Sequence, residues 1–530
     1  MTTTPPSSPP LEQTAPAARR PSLLLAGAAG LAAGVLALGL AEVIAGLVSP
    51  SAAPIIALGD VVVDHVPPWL KTFAVSTFGT HDKQVLLATA YLIAALFSAL
   101  AGILAVRSKA GTWLVLALGA VAAYAAASRP ESTALAALPS LLGAGVGMFV
   151  LQRLAQLVRD VASTQPRTLP GELAGRRAVI GLSAVVAIGA ATGVIGDWLG
   201  ARLRGATASR NAIKLPVPAD PAPALPSGVN VGVKGMEPFI TPNKDFYRID
   251  TALSVPLLKA ESWTLKIHGM VDKEVTLTWA ELLAGALVER DLTLMCVSNE
   301  VGGDLTSTAR WIGMPIKPLL ERAGLSKDAD MVLSTSSDGF TASTPLETLT
   351  DGRDAILAIG MNGEPLPLEH GFPVRMVVPG LYGYVSATKW VVDLEVTRFD
   401  KAEGYWTPRG WSERGPVKTG SRIDVPSNGH GLKAGTIAVA GIAWAEHRGI
   451  KGVQVRVDEG EWQAATLGAE DSVDTWRQWY FAWDATNAAS GKHTLEVRAT
   501  DGDGATQTSD SAPPAPDGAT GWHRISVNLS

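Results

Sequence analysis

Cysteine is almost missing from this chain: Cys296 is the only one in 530 residues. Its isolation excludes an intrachain disulfide, a cysteine-based zinc site, a four-cysteine iron–sulfur cluster and the CxxCH attachment of c-type haem. Charge of one sign is also missing. Lys and Arg total 44 against 49 Asp and Glu, a net charge of −5, so no broad basic surface offers itself to nucleic acid. Histidine is absent from the long apolar runs described below, because His65, His81, His268, His370, His430, His447, His493 and His523 all lie outside them. Two imidazoles are therefore not available there to ligate a haem between helices. Carboxylates are nearly absent from the same runs, with Glu42 near the end of the first and Asp197 near the end of the fifth as the exceptions, which argues against a proton or ion pathway.

What is abundant is apolar residues, 47% of a chain long enough for roughly three domains. Residues 1–21 are rich in Pro, Ser and Thr and predict a disordered tail. Five runs of membrane-spanning length follow at about 22–48, 85–106, 111–128, 132–151 and 178–199, and predict a helical membrane bundle over residues 22–200. Pro139 and several glycines weaken the fourth run, so four spans is the alternative. An anchor, with a docking face for a partner, is the role these runs leave.

Orientation follows from where positive charge gathers beside short loops. With a cytoplasmic N-terminus, the inner segments carry Arg19, Arg20, Arg107, Lys109, Arg153, Arg159, Arg167, Arg176 and Arg177, against Lys71, Lys83 and Arg129 outside. Five spans then place everything after residue 200 on the extracytoplasmic side. Arg202, Arg204, Arg210 and Lys214, just beyond the fifth run, oppose this assignment. The fifth run opens as "GRRAVIGLSAVVAIGAATGVIG", an arginine pair before a moderately apolar stretch, as in a twin-arginine export signal. The plainer reading is a positive-inside pair beside an ordinary helix.

After a Pro/Ala stretch, "KLPVPADPAPALPSG" at 214–228, which reads as a semi-rigid spacer within a linker over 201–235, short strands mix with short helices to about residue 400. This is an α+β pattern without regular βαβ repetition. From about 434 the helical periods disappear, and period-two strands with Gly and Asp turns predict an immunoglobulin-like β-sandwich. Cys296 sits in "LTLMCVSNEVGG", a strand running into a glycine turn. Between Met295 and Val297 a cysteine is more often a small buried hydrophobe than a ligand. Ser298, Asn299, Gly302 and Gly303 follow, however, and would let the backbone approach a bulky group, and a thiolate is the soft donor a transition metal selects.

The stretches "TPNKDFYRID", "WTLKIHGMV", "LTLMCVSN", "STARWIGMPI", "MNGEPLPLEHGFPVRMVVPG" and "KWVVDLEV", in that order, resemble the molybdenum-pterin domain of the sulfite oxidase family. "GIAWAEHRGIKGVQVRVDEGEWQAATL", "WRQWYFAWDA" and "GWHRISV" resemble that family's C-terminal immunoglobulin-like domain. The resemblance implies a molybdopterin-binding oxidoreductase domain over 236–415 and a dimerisation-type sandwich over 420–530. It implies that Cys296 is the molybdenum ligand. It also implies that Asn243, Tyr247, Arg248, Ser336, His370, Arg375, Thr388 and Lys389 hold the pterin and its phosphate.

In the family, arginines hold an anionic substrate beside the metal, and the resemblance carries that role to Arg310 in "STARW" and Arg477 in "TWRQW". The third arginine position reads Asp250, and a tyrosine position close to the metal reads Ile359. A carboxylate near an oxyanion opposes its binding, so sulfite is not the first expectation. The function implied is membrane-anchored, molybdopterin-dependent oxygen-atom transfer on a small sulfoxide-type or sulfite-like substrate. Electrons would be exchanged with a separate cytochrome, another redox protein or a quinone-linked partner, with no haem or iron–sulfur cluster in the chain and with a candidate homodimer contact through the sandwich. The alternative from another class is a cofactor-free surface protein that binds through its sandwich. A transporter built on the spans is disfavoured by their lack of polar groups.

Overall fold

A computed structural model describes residues 21–530 apart from 68–69, 71–72, 75–76, 79–80, 130–131, 134 and 164–170; the side chains of 163, 171–178, 197 and 199–204 are outside the description. The tail expected over 1–21, save its last residue, lies outside the described residues, as do Arg19, Arg20, Lys71 and Arg167 and the side chains of Arg176, Arg177, Arg202 and Arg204. The chain divides into two units, one formed by the N-terminal helices and one that contains residues 201–530.

In the helical unit, Leu23–Val48, Asp82–Ala105, Ala110–Ala127, Leu138–Ala162 and Val179–Gly196 are long and apolar enough to cross a membrane by length and composition. Pro139 does not interrupt the fourth. It stands in the first turn of its helix, where proline's missing N–H would have had no intrahelical acceptor. Leu23–Val48 is held by close backbone approaches: a side chain on Gly30 would collide with the Ser98 carbonyl and the Gly102 backbone, and one on Gly39 with the Gly189 carbonyl. Small residues at such crossings bring helices together where solvent supplies no hydrophobic force. Large apolar side chains such as Leu96, Tyr124 and Ile180 point outward instead.

The second unit begins with a short helix, Ala206–Ala212, fixed by Ser209, whose hydroxyl donates to Glu261 at 3.0 Å, and by Arg210, which donates to the carbonyls of Leu366 and Pro365 at 2.8 and 2.7 Å. The proline-rich stretch that follows is not a free spacer. Asp220 pairs in parallel register with Val288, Ala219 N–H donates to Leu287 O at 2.8 Å, and Gly228 O accepts from Ala469 N at 3.0 Å. Proline cannot continue a helix, and an extended strand edge satisfies the acceptors that it keeps.

Two five-stranded sheets share the larger core. One runs Val275–Thr278, Thr264–Gly269, Val391–Thr397, Met331–Ser336, Thr341–Pro345, with Thr264–Gly269 parallel to Val391–Thr397 and the other pairs antiparallel. The other runs Val288–Met295, Thr306–Pro315, Ile356–Met361, Glu364–Pro365, with Arg375–Val377 also pairing Ile356–Met361. Leu265, Ile267, Leu394 and Val396 from the first sheet and Leu292, Leu294, Trp311 and Leu357 from the second meet in one apolar cluster. The short helix Trp279–Ala284 is started by a reciprocal cap: Thr278 Oγ1 accepts from Glu281 N at 3.3 Å, and Glu281 Oε2 accepts from Thr278 N at 2.8 Å.

Residues 420–529 form two further sheets facing one another. Gly420–Val425, Thr436–Trp444, Arg477–Asp484 and Thr466–Leu467 make one; Gly431–Leu432, His523–Leu529, Gly491–Asp501, Ile450–Val457 and Gln463–Ala464 make the other. Val439, Trp479, Val455, Val497 and Val527 fill the space between them. This is a two-layer β arrangement, consistent with alternating burial along His523–Leu529.

Candidate functional site

Strand Val288–Met295 ends one residue before Cys296, whose N–H donates to Leu305 O at 3.0 Å and closes the ladder with Thr306–Pro315. The chain then turns sharply. Asn299 Oδ1 accepts from Leu305 N at 2.9 Å, and Gly302 adopts φ +82°, a left-handed conformation open to glycine at little cost. The close approach that Gly302 permits is to the ring of His523 from the sandwich, where any side chain would collide, and not to a ligand. Arg422 of the sandwich also donates to Gly303 O at 2.7 Å, so the turn behind Cys296 is braced from a different layer.

Cys296 lines a cavity that holds about 920 Å³ of space between protein atoms, part of it open to solvent. Burial raises its thiol pKa, opposed by hydrogen bonds from the Ser298 N–H and hydroxyl, the pair of donors placed to favour a thiolate. Tyr247, Ser336, His370, Arg375 and Lys389 line the same cavity. Several of them are gathered by one bend: Gly371, at φ +110°, brings His370 against Arg375 and Lys389, and a Cβ at Gly371 would sit 3.0 Å from Arg375 Cβ and 3.1 Å from Lys389 Cβ.

Arg375 is the unusual member. Its guanidinium is buried against the carbonyls of His370 and Ala387, at 3.2 and 3.3 Å, and over the Trp311 ring at 5.2 Å. No carboxylate lies within ion-pair reach of it among the described residues, and burial lowers its pKa to about 10. Lys389 Nζ by contrast donates to Asp250 Oδ2 at 2.7 Å, and burial takes it down to about 8 against the pull of that carboxylate. His370 donates through Nε2 to the Asn243 carbonyl at 3.2 Å; burial, with Arg375 and Lys389 beside it, depresses its pKa to about 3 and keeps the ring neutral. A buried cation without an acid, next to neutral N–H and O–H donors and a soft thiol, is the donor set that an anionic phosphate and a thiophilic metal require. The residues fit a metal-pterin phosphate.

Other expected residues stand elsewhere. The Asn243 side chain donates to Met361 O at 3.2 Å and Glu364 Oε1 at 2.6 Å; Arg248 pairs with Asp250 at 3.1 Å; the Thr388 hydroxyl is 2.7 Å from that of Ser334 and fully buried. These three support the cavity's walls from behind or at its rim rather than lining it. Ile359 is wholly buried in strand Ile356–Met361. Asp250 does line the cavity, where it offsets Lys389 and Arg248.

Arg310 and Arg477, expected to hold the substrate, stand outside the cavity lining. Arg310 lies directly across the ladder from Asp291 and forms a two-pronged pair with it at 2.8 and 2.5 Å, its second nitrogen also donating to Pro223 O at 2.9 Å. Its backbone is five residues along the strand from Leu305, the partner of Cys296, which is about 17 Å at strand rise. Arg477 donates to Gly468 O and Ile450 O at 2.9 and 2.8 Å. Neither arginine lines the cavity. Arg310→Met is therefore expected to lower stability by about 3 kcal/mol, since it strands the buried Asp291 carboxylate, and to change the substrate KM by less than about threefold. Denaturant melts beside steady-state kinetics check this; a tenfold rise in KM at unchanged stability would restore the substrate role.

Tyr384, Phe340, Trp406 and Trp411 also line the cavity and were not anticipated. The aromatic density of "GYWTPRGW" was the available signal.

The oxidoreductase molybdopterin binding domain matches residues 252–406. The uncharacterized oxidoreductase YuiH of Bacillus subtilis is 32% identical over 153 residues, covering 29% of this chain and 74% of that protein. Mitochondrial sulfite oxidase of Homo sapiens is 29% identical over 290 residues, 46% of this chain and 53% of that protein. The chain belongs to the sulfite oxidase family of molybdopterin-dependent oxidoreductases. It spans about half the length of the curated sulfite oxidases it matches, at 53% of the human protein. Among solved structures, the sulfane dehydrogenase SoxCD of Paracoccus pantotrophus aligns with a TM-score of 0.48 at 23% identity, over 56% of this chain and 85% of that one. Within this sulfite oxidase family member, the matched segment contains every predicted site residue that lines the cavity except Tyr247, which lies just before it.

Proposed function

We propose that this chain is a membrane-anchored molybdopterin oxidoreductase that moves an oxygen atom onto or off a small sulfoxide-type or sulfite-like substrate and exchanges electrons with a separate cytochrome or quinone-linked partner. The observation that carries the reading is one cavity in which the lone thiol, Cys296, faces the same space as the acid-free buried guanidinium of Arg375. Cys296 would bind the metal, and Arg375, Lys389, His370, Tyr247 and Ser336 would hold the pterin and its phosphate, with Asn243, Arg248 and Thr388 behind them. When bound, molybdenum in its pterin supplies a two-electron redox change coupled to oxygen-atom transfer.

The chain's own residues orient and shield. Ser298 donates to the sulfur and favours the thiolate needed for ligation. Neutral His370 donates through Nε2 to a fixed carbonyl, so its ring is held in one tautomer. Phe246 stacks on Tyr247 at 5.4 Å and meets His370 edge-on at 5.5 Å, which backs the polar wall with rings and keeps water from it. Dye-coupled turnover by the full-length protein, purified from a cofactor-making host, tests the reading: sulfite with an oxidant, and sulfoxides with a reductant. Turnover of either class is expected. A fully loaded protein inert to both would overturn it.

In the same reading the chain is organised as a tail to residue 21, membrane helices over 22–200, a junction over 201–235, the cofactor domain over 236–415 and an immunoglobulin-like domain over 420–530. The catalytic unit lies on the extracytoplasmic side, with Arg176 and Arg177 as the address for a domain that takes up its cofactor before crossing. Changing both to Lys is expected to leave that domain inside, protected from protease added to intact cells. Unchanged cleavage at the surface would remove the signal role.

A further inference from the structure

The cavity's lining combines cations with aromatic rings. Arg375 and Lys389 gather around Gly371. Tyr384, Trp411, Trp406 and Phe340 line it as well, and with Tyr405, which does not, they form a wall of rings that follow one another in the order Tyr384, Trp411, Trp406, Tyr405, Phe340 at centroid separations of 6.0, 6.2, 5.1 and 5.7 Å. Tyr384 and Trp411 pack against the apolar cluster that contains Met295 and Val297, the two neighbours of Cys296. The Tyr384 hydroxyl is engaged by the Ser412 carbonyl at 2.5 Å, and burial raises its pKa, so that residue offers the cavity a neutral ring.

Among the lining residues Asp250 already pairs with Lys389, Arg375 has no carboxylate in ion-pair reach, His370 is neutral, and Arg310 and Arg477 are outside. A phosphate-bearing cofactor would take up the two cations. A second small anion would then find no counter-charge in the cavity, and desolvating it there is costly.

We infer that Tyr384, Trp406 and Trp411 seat an uncharged organic substituent, and that the substrate is a neutral organosulfur compound, a sulfoxide or its thioether, carrying an aromatic or branched apolar group. This rests on the reading of the cavity as the oxidoreductase site and deepens it. The rings contribute affinity through stacking and apolar burial and place the sulfur by holding the group attached to it. Selectivity follows from size, because each methylene that an apolar pocket covers is worth about tenfold or more.

Calorimetric titration of the cofactor-loaded, full-length protein in detergent with methyl phenyl sulfoxide, dimethyl sulfoxide and sulfite tests this. The phenyl compound is expected to bind at least about tenfold more tightly than the dimethyl one, with sulfite weakest. Trp411→Ala is expected to reduce that preference to under about threefold with molybdenum content retained; Trp406→Ala, with its ring at the far side of Trp411, is the second variant should the first fold poorly. Tighter binding of sulfite than of either sulfoxide overturns the inference. So does a preference that survives both substitutions. Cofactor loss in a folded Trp411→Ala protein would give the wall to the pterin ring and overturn it equally. Phenyl-selective binding without turnover of any sulfur compound would keep the seat and remove the proposed reaction, which separates the two failures.

Discussion

Cys296→Ser is expected to reduce the molybdenum of the purified full-length protein from about one atom per chain to under about a tenth of that, with the fold intact. The side chain is 8% exposed and sits where a strand ladder closes, so serine, slightly smaller and bonded through the same backbone groups, fits the space. What changes is the donor. A serine hydroxyl does not ionise at neutral pH, whereas two hydrogen bonds from Ser298 assist the thiol to do so. Pterin held by Arg375 and its neighbours would be lost less completely than metal. Elemental analysis, pterin fluorescence and a thermal melt on the same sample read the three quantities separately. Wild-type metal content in the serine variant would return Cys296 to the role of a buried small hydrophobe.

Arg375→Met is expected to move stability and cofactor content in opposite directions. The guanidinium is buried with carbonyls and a tryptophan face for company and, among the described residues, no carboxylate, and burial brings its pKa down to about 10. Methionine fills a similar volume without the desolvation cost, and substitutions of that kind are neutral or stabilising by about 1–4 kcal/mol. The cofactor-free protein should therefore melt at the same or a higher temperature. The loaded form should be depleted at least about tenfold in pterin, because the charge-assisted contact that Arg375 would offer the phosphate is removed. Arg375→Lys should recover part of the loading, a point charge replacing a planar fork. Equal loading of the methionine variant would show that the guanidinium serves packing alone.

These expectations differ in how far the sequence supported them. Long apolar runs need only composition, so the runs at 22–48, 85–106 and 111–128 fall almost residue for residue on Leu23–Val48, Asp82–Ala105 and Ala110–Ala127. The fourth is displaced because the apolar run begins at 132, with Pro139 inside it, whereas the helix begins at Leu138, with Pro139 in its first turn, and continues to Ser163. Cys296 at the join of strand and turn was legible from local pattern. Gathering His370, Arg375 and Lys389 with it was legible only through resemblance, since the bend at Gly371 and the return of the chain to Lys389 are tertiary facts. The placement of Arg310 was not legible for a related reason: its partner is fixed by cross-strand register with Asp291, 19 positions away, which no local period encodes. The proline-rich run failed because a spacer and an edge-paired strap share one composition, and only the exposed edge at Leu287–Val288 distinguishes them.

That strap decides where the chain can be cut. Asp220 holds Arg290 at 2.5 Å, Pro223 holds Arg310 at 2.9 Å, Gly228 holds Ala469 at 3.0 Å, and Val231 N–H is held by Gln478 at 3.0 Å. A soluble version trimmed at the prolines would leave Arg290 and Arg310 short of acceptors and open a seam that runs from one sheet of the cofactor layer to the sandwich. One begun at residue 201, where the second unit starts, would keep the Ser209 and Arg210 moorings as well as the strap. For work on the second unit alone, the boundary is thus sought before Ala206 and not in the residues whose composition advertises one.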